Sequence, residues 1–441
     1  MEFTNWLPII VLFGGMLIFL VLGLPVAFSM GGVALIAALI FWGPESLAIA
    51  ATNTYGSMRM FVLIAMPLFI FMAAVLERSG VADNLYEAIR QWLGPLRGSL
   101  SMATVFACTI IAAMSGVTTA GIVTMGLIAL PIMLKKGYDK SIAIGPIMAG
   151  GVLGILIPPS TSFIIYGVLT ESSIGRLFAG GLIPGLMLSF LYVSYIGIRC
   201  YFQPHLGPSI PKEERISFKA KFVLSRGLIL PVLLILGVLG SIFAGVASPT
   251  EAAAVGAFGA IVCSVINRRF NWQMLKEASY RTCQINAMIM WILFGAFCFT
   301  AVFAASGSQK LIQDLILGLN VEPIYVILFM MVSYFILGCF VNEVTMVMIT
   351  IPVYLPILVS LGFDPVWFGV LFIVNMQMAY LTPPFGFALF YMKGVAPPGV
   401  TMLDLYRSII PFIPLQWTVL LLVMFFPQLA LWLPNMVFGL K

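Results

Sequence analysis

With 441 residues, 61% of them hydrophobic and 9% charged, the chain lies outside the range of soluble domains, in which about a quarter of residues are charged. A net charge of +6 rests on 22 Lys and Arg against 16 Asp and Glu. The six Cys, all in or beside apolar segments with no CxxC pair, exclude a zinc or disulfide framework. Apolar runs near the ~20 residues that cross a bilayer recur from end to end, continuous and not alternating, which predicts an all-α integral membrane protein and not a β-barrel.

The first half, residues 1–202, is expected to cross at about 6–24, 25–43, 60–78, 140–168 and 180–200. Gly14 to Ala27 runs directly into further apolar sequence, so a retained first helix is expected and not a cleaved signal peptide. After the third span, Leu85, Ile89, Trp92, Leu93 and Leu96 face one way and Glu87, Arg90 and Gln91 another, the pattern of a helix lying along the interface. The apolar region at about 99–136 breaks at Ser115-Gly116-Val117-Thr118-Thr119-Ala120-Gly121 and reads as a hairpin that enters and leaves by one face. Two half-helices meeting at such a tip leave carbonyls unpaired on one arm and N–H groups unpaired on the other. Oxygens there suit a hard cation such as Na⁺, and the N–H end attracts an anion. The span at 140–168 is interrupted by Ile157-Pro158-Pro159-Ser160-Thr161-Ser162. Tandem Pro removes two donors and clashes with the preceding turn, so the helix opens. Open backbone at the midplane is stable only against protein or a wet cavity.

Residues 203–226 form the one long polar stretch, a basic linker with Lys212, Glu213, Glu214, Arg215, Lys219, Lys221 and the single His, His205. The second half, 227–441, is expected to cross at about 227–246, 249–267, 284–306, 365–392 and 409–434. Ser248-Pro249-Thr250-Glu251 is a capping box with Pro at the first helical position. A second amphipathic segment runs around Gln309 to Leu319, ahead of a second hairpin at about 322–361. That hairpin breaks at Gly338-Cys339-Phe340-Val341-Asn342-Glu343-Val344-Thr345. Asn342 is placed to cap the returning arm and Glu343 lies in its positive first turn. An ionisable residue at membrane depth is also a functional candidate by default. Leu381-Thr382-Pro383-Pro384-Phe385-Gly386 breaks the span at 365–392, and Asp139 and Asp364 are expected as charge partners at the starts of the two broken spans.

A shift of 225 positions aligns the halves: Pro131, Gly137 and Asp139 fall on Pro356, Gly362 and Asp364, and Pro158, Pro159 and Tyr166 on Pro383, Pro384 and Tyr391. Five crossings per half make the repeats inverted. With both termini outside and the central loop inside, all Lys and Arg except Arg59, Arg176, Lys310 and Lys441 collect on the cytoplasmic side. Corresponding breaks in both halves mark a transporter's binding site. An intramembrane peptidase would need a Ser/His pair, paired Asp or an HExxH site within the membrane, but the one His is in the linker and the two Asp sit at span ends. A passive channel would show a ring of like charges, which is absent.

Gly150–Ser162 (GGVLGILIPPSTS), Phe178–Leu186 (FAGGLIPGL), Ala247–Gly256 (ASPTEAAAVG) and Gln377–Phe387 (QMAYLTPPFGF) resemble the large membrane subunit, the DctM type, of tripartite ATP-independent periplasmic (TRAP) transporters. The likeness covers almost the whole chain. It implies a permease of the bacterial inner membrane, not an enzyme, with no cofactor and with Na⁺ as coupling ion. It implies an elevator mechanism too: the hairpins and broken spans carry substrate past a scaffold of outer spans and interface helices. The family's Na⁺ sites carry over onto Ser115, Gly116 and Thr119 with Pro158 and Ser160, and onto Gly338, Glu343 and Thr345 with Thr382 and Pro384. Substrate, a small organic acid, is expected between the tips near Thr118, Thr161, Asn342 and Thr382. A small four-helix (DctQ-type) membrane subunit and a periplasmic (DctP-type) binding protein are implied as separate partners. The same plan also looks like self-sufficient Na⁺/carboxylate symporters, which need neither.

Overall fold

The computed structural model describes residues 6–318, 321–383 and 386–439, and all their regular structure is helical. Among the described residues, six helices are long and apolar enough to cross a membrane, or up to eight if two bent pairs each count as one span. Apolar side chains such as Val21, Phe190, Phe258 and Ile336 stand outward, the surface that a chain dissolved in lipid presents.

Two groups of helices can be told apart by their packing. In the first, Val26–Trp42 and Ala65–Leu76 pack against Pro249–Ile266 and Trp272–Ala305. Small residues bring the backbones together: a Cβ on Gly295 would stand 2.4 Å from the Ala27 carbonyl oxygen, and one on Gly256 2.5 Å from Met72 Sδ. Dispersion between closely approaching backbones holds helices together where lipid removes the hydrophobic drive.

The second group holds both hairpins, the Pro-Pro segments and the helices that follow them. Ser99–Ser115 folds back on Thr118–Lys135, and Pro323–Gly338 on Glu343–Ser360. Lys140–Gly151 and Thr161–Thr170 flank the first Pro-Pro pair, and Pro365–Leu381 and Phe387–Val395 the second. Pro365–Leu381 is the centre of this group, with every residue from Val366 to Leu381 buried. Trp367 Nε1 donates to the Val423 carbonyl at 2.8 Å, and Tyr166 Oη to the Pro365 carbonyl at 2.7 Å. Two ion pairs close the group across the halves: Lys140 with Asp404 at 2.9 Å, and Arg176 with Asp364 at 3.4 Å. Ile174–Phe202 and the C-terminal helices pack here, on the hairpins and broken helices.

Several elements differ from the sequence expectation. A helix at Leu47–Met58, absent from the expected spans, bends by 58° into the next. Its Asn53, Thr54, Gly56 and Ser57 interrupt the apolar run without stopping a helix. The span expected at 284–306 begins twelve residues earlier, as Trp272–Ala305, because Asn271 caps it by accepting from the Met274 amide at 2.7 Å. Its polar opening turns are made of good helix formers, Gln273, Lys276, Glu277 and Arg281. The crossing expected at 409–434 is divided into Met402–Ile409, Ile413–Phe425 and Gln428–Phe438, with Pro414 and Pro427 at the restarts. The linker holds a short helix, Phe218–Leu224, whose Phe218 ring packs edge-on against Trp92 of Val81–Leu93.

Candidate functional site

The first hairpin closes on one residue that only glycine fits. Gly116 ends Ser99–Ser115 at φ 68°, and a Cβ there would lie 2.1 Å from the Pro159 carbonyl oxygen. Left-handed backbone is cheap for glycine alone, and the contact leaves no room for a side chain. The tip therefore sits directly on the opened Pro-Pro backbone. Thr161 secures the seat, its amide and its Oγ1 both donating to the Gly116 carbonyl, at 3.4 and 3.3 Å. Further down, Gly151 and Gly121 let the broken helix touch the returning arm, where a Cβ on Gly121 would meet the Gly151 Cα at 2.9 Å.

Around this seat the oxygens divide into spent and unspent. Ser160 Oγ donates to the Ile155 carbonyl at 2.6 Å and accepts from the Phe163 amide at 3.4 Å, capping Thr161–Thr170. Ser115 Oγ and Thr118 Oγ1 are buried and have no protein partner. Thr118 opens an arm with no side-chain cap, so its first N–H groups are also free of intrahelical partners. Buried hydroxyls are nearly always satisfied; a cation at the tip would satisfy the oxygen lone pairs, and an anionic substrate the N–H and O–H donors.

The second tip is built differently. Asn342 caps Glu343–Ser360 through its Oδ1, which accepts from the Thr345 amide at 2.9 Å. The half-buried Glu343 carboxylate accepts from Tyr380 Oη through Oε2 and from Ser162 Oγ through Oε1, the latter at 3.2 Å. The Glu343 amide donates to the same Tyr380 Oη at 3.1 Å. Glu343 thus ties the second hairpin to both broken helices. Gly338 packs against the second of them, a Cβ there meeting the Ala379 Cβ at 2.6 Å. Thr382 Oγ1 is turned back to the Met378 carbonyl at 2.8 Å. Pro384 lies outside the described residues, as does Leu319 at the end of the second amphipathic segment.

Of the sequence-derived site residues, the fold brings Gly116, Thr161 and the Pro158-Pro159 turn together at one tip, with Ser115 and Thr118 beside it. It brings Glu343 to Ser162. Ser162, Tyr380 and Gln377 were not singled out in the sequence. Ser162 and Tyr380 stand inside the quoted Pro-Pro motifs. Gln377 is a fully buried amide with no partner on either polar atom, and its signal was a lone Gln in an apolar run.

The comparisons with known proteins bear on the whole of this arrangement. A family model described as "Tripartite ATP-independent periplasmic transporter, DctM component" matches residues 13–429. The chain belongs to that family. Among its relatives, the C4-dicarboxylate TRAP transporter large permease protein DctM of Vibrio cholerae is 29% identical, over 95% of this chain and 96% of its own length. The sialic acid TRAP transporter large permease protein SiaM of the same organism is 30% identical, over 95% and 96%. The isethionate TRAP transporter permease protein DctMQ of Oleidesulfovibrio alaskensis is 30% identical over 96% of this chain, which spans 66% of that longer protein. Among solved structures, the YdaH transporter of Alcanivorax borkumensis superposes with a TM-score of 0.66 at 16% identity, covering 96% of this chain and 98% of that one. A DctM component is a multi-pass membrane permease, and its relatives here are transporter proteins, not enzymes.

Proposed function

We propose that this DctM component is the large permease of a Na⁺-coupled uptake system for a small organic acid in the bacterial inner membrane. Its two halves are inverted repeats, with both termini periplasmic and the linker 203–226 cytoplasmic. A periplasmic binding protein delivers the acid, and a small four-helix subunit completes the complex. The observation that carries the reading is the pair of buried, unpartnered hydroxyls, Ser115 and Thr118, at a hairpin tip seated on opened backbone.

Na⁺ takes the oxygens of the Ser115–Thr119 tip and of the Pro158–Ser160 turn, and a second Na⁺ takes oxygens of Gly338, Glu343, Thr345 and Thr382. The acid sits between the tips, on the free N–H groups of Thr118–Lys135 and near Thr161, Asn342 and Thr382. The helices around Pro365–Leu381 move as one body past the group built on Trp272–Ala305. Three supports favour that division: the ion pairs that close the moving group, the fold likeness to solved transporters, and the family.

The test is uptake of labelled succinate, sialic acid and isethionate into proteoliposomes under an inward Na⁺ gradient, with and without the binding protein and the small subunit. Uptake that needs Na⁺ and both partners is expected. Uptake by this chain alone would make it an independent symporter, and uptake indifferent to Na⁺ would overturn the coupling.

A further inference from the structure

Between the first interface helix, Val81–Leu93, and the first hairpin the chain runs through Gly94-Pro95-Leu96-Arg97-Gly98. Pro95 lacks the N–H that would continue the helix, and Gly98 turns the chain at φ 73°. The linker 203–226 lies antiparallel along this joint. The Gly98 amide donates to the Gly207 carbonyl at 2.8 Å, and the Ile210 amide to the Gly94 carbonyl at 3.1 Å. The approach is backbone to backbone, since a Cβ on Gly207 would stand 3.0 Å from the Gly98 Cα.

The two parts of the linker hold different elements. Its first part is fastened to the base of the hairpin. The Asp139 amide donates to the Leu206 carbonyl at 2.9 Å, and Lys136 pairs with Glu214. The buried Tyr138 Oη donates to the Pro208 carbonyl at 2.8 Å and accepts from the Leu100 amide at 3.2 Å. The second part is fastened to the interface helix. Trp92 Nε1 donates to Ser225 Oγ at 2.8 Å, and Lys221 Nζ stands 5.8 Å over the Trp92 ring. The interface helix is itself held at its start by the first helix group, where Asn267 Nδ2 donates to the Ser79 carbonyl at 3.1 Å. Ile216 lies where the two parts meet: Arg215 Nε donates back to the Ile210 carbonyl at 2.9 Å, and Ser217 Oγ caps the next helix by accepting from the Ala220 amide at 3.3 Å.

We infer that the linker is a brace across this joint: residues 206–214 travel with the first hairpin, residues 218–226 stay with the interface helix, and the chain bends at 94–98 and around Ile216 together. This rests on the reading above, in which the hairpins move past the other helix group. A few residues at element ends absorb the backbone rotation of such a movement. Two bending points set side by side define one axis and resist twist about the others, so the brace gives the hairpin a fixed direction of travel. The Ile210–Gly94 bond crosses from one part to the other, and it opens on each cycle.

The experiment places three cysteine pairs in the full complex, each with the exposed Cys283 changed by Cys283→Ser. Uptake into proteoliposomes of the acid that the wild type accumulates is measured after oxidation and after reduction, with each disulfide identified by mass spectrometry. Gly94→Cys/Ile210→Cys holds the joint shut. Its oxidation is expected to lower the uptake rate at least tenfold, reversibly, with ²²Na⁺ binding unchanged. Lys136→Cys/Glu214→Cys fastens linker to hairpin within one moving body, and its oxidation is expected to leave uptake within about twofold of the wild type. Gln313→Cys/Ser360→Cys replaces a hydrogen-bonded pair between the second interface helix and the end of the second hairpin, and so reports the motion without the linker. Its oxidation is expected to stop uptake.

Full uptake with the 94–210 disulfide closed would overturn the inference. So would a 136–214 disulfide that stops transport, a result that decides even if the Gly94 pair fails to fold, because Lys136 and Glu214 are partly exposed. Full uptake with the 313–360 disulfide closed would overturn the hairpin motion itself, and the inference with it.

Discussion

At the first hairpin tip the docking bonds run through the backbone: Gly116 lends its carbonyl to Thr161 and lies against the Pro159 carbonyl. At the second tip they run through a side chain, with Glu343 held by Ser162 and Tyr380. The first tip leaves two buried hydroxyls unspent, Ser115 and Thr118, whereas the candidate hydroxyl opposite the second, Thr382, is already bonded to Met378. A backbone seat made by close packing is rigid and presents ready ligands. A carboxylate seat has to exchange hydroxyl partners before it can take an ion. On the Na⁺ reading proposed above, the first tip is the preformed cation site and the second the one whose binding is coupled to rearrangement.

The largest effect expected is at the rigid seat. Gly116→Ala forces a left-handed alanine, at about 1–2 kcal/mol, into a backbone contact that cannot yield. Uptake in proteoliposomes is expected to fall by two orders of magnitude or more, with the variant still monodisperse in detergent. Near-normal uptake would show that the tip is not seated on Pro159. Glu343→Gln comes next, because it removes the charge from two hydrogen bonds, each worth roughly 1.5–3 kcal/mol when charged. A loss of tenfold or more in uptake is expected, with Tyr380→Phe milder. Equal effects of Glu343→Gln and Ser162→Ala would mean that the charge itself is idle.

The hydroxyl comparison is finer. Ser115→Ala is expected to raise the Na⁺ concentration for half-maximal uptake several-fold, and Thr382→Ala to raise it less, since its hydroxyl has a backbone partner to give up first. Equal shifts would erase the distinction between the tips. Smallest of all, Lys140→Ala and Arg176→Ala break partly exposed ion pairs worth about 0–1 kcal/mol. Each is expected to lower the Tm by a few degrees at most.

The all-helical class was legible because apolar runs of bilayer length admit no other spanning element. The tip sequences were legible too: Gly116 can turn where its neighbours cannot, Asn342 caps, and Pro-Pro opens a helix wherever it falls. The partners were not. Ser162 and Glu343 lie 181 positions apart, and local pattern carries nothing about which tip meets which broken helix. Thr382 was carried over from the family's Na⁺ sites, and what the sequence does not show is that its hydroxyl bonds back to Met378 in the last turn of its own helix.

The most direct measurement is equilibrium binding of ²²Na⁺ to the purified permease and to the Ser115→Ala/Thr118→Ala double variant. Saturable binding is expected in the wild type, with one equivalent lost in the variant and the rest retained. A double variant that binds as much Na⁺ as the wild type, with the same affinity, would contradict the assignment of the first tip as the preformed cation site.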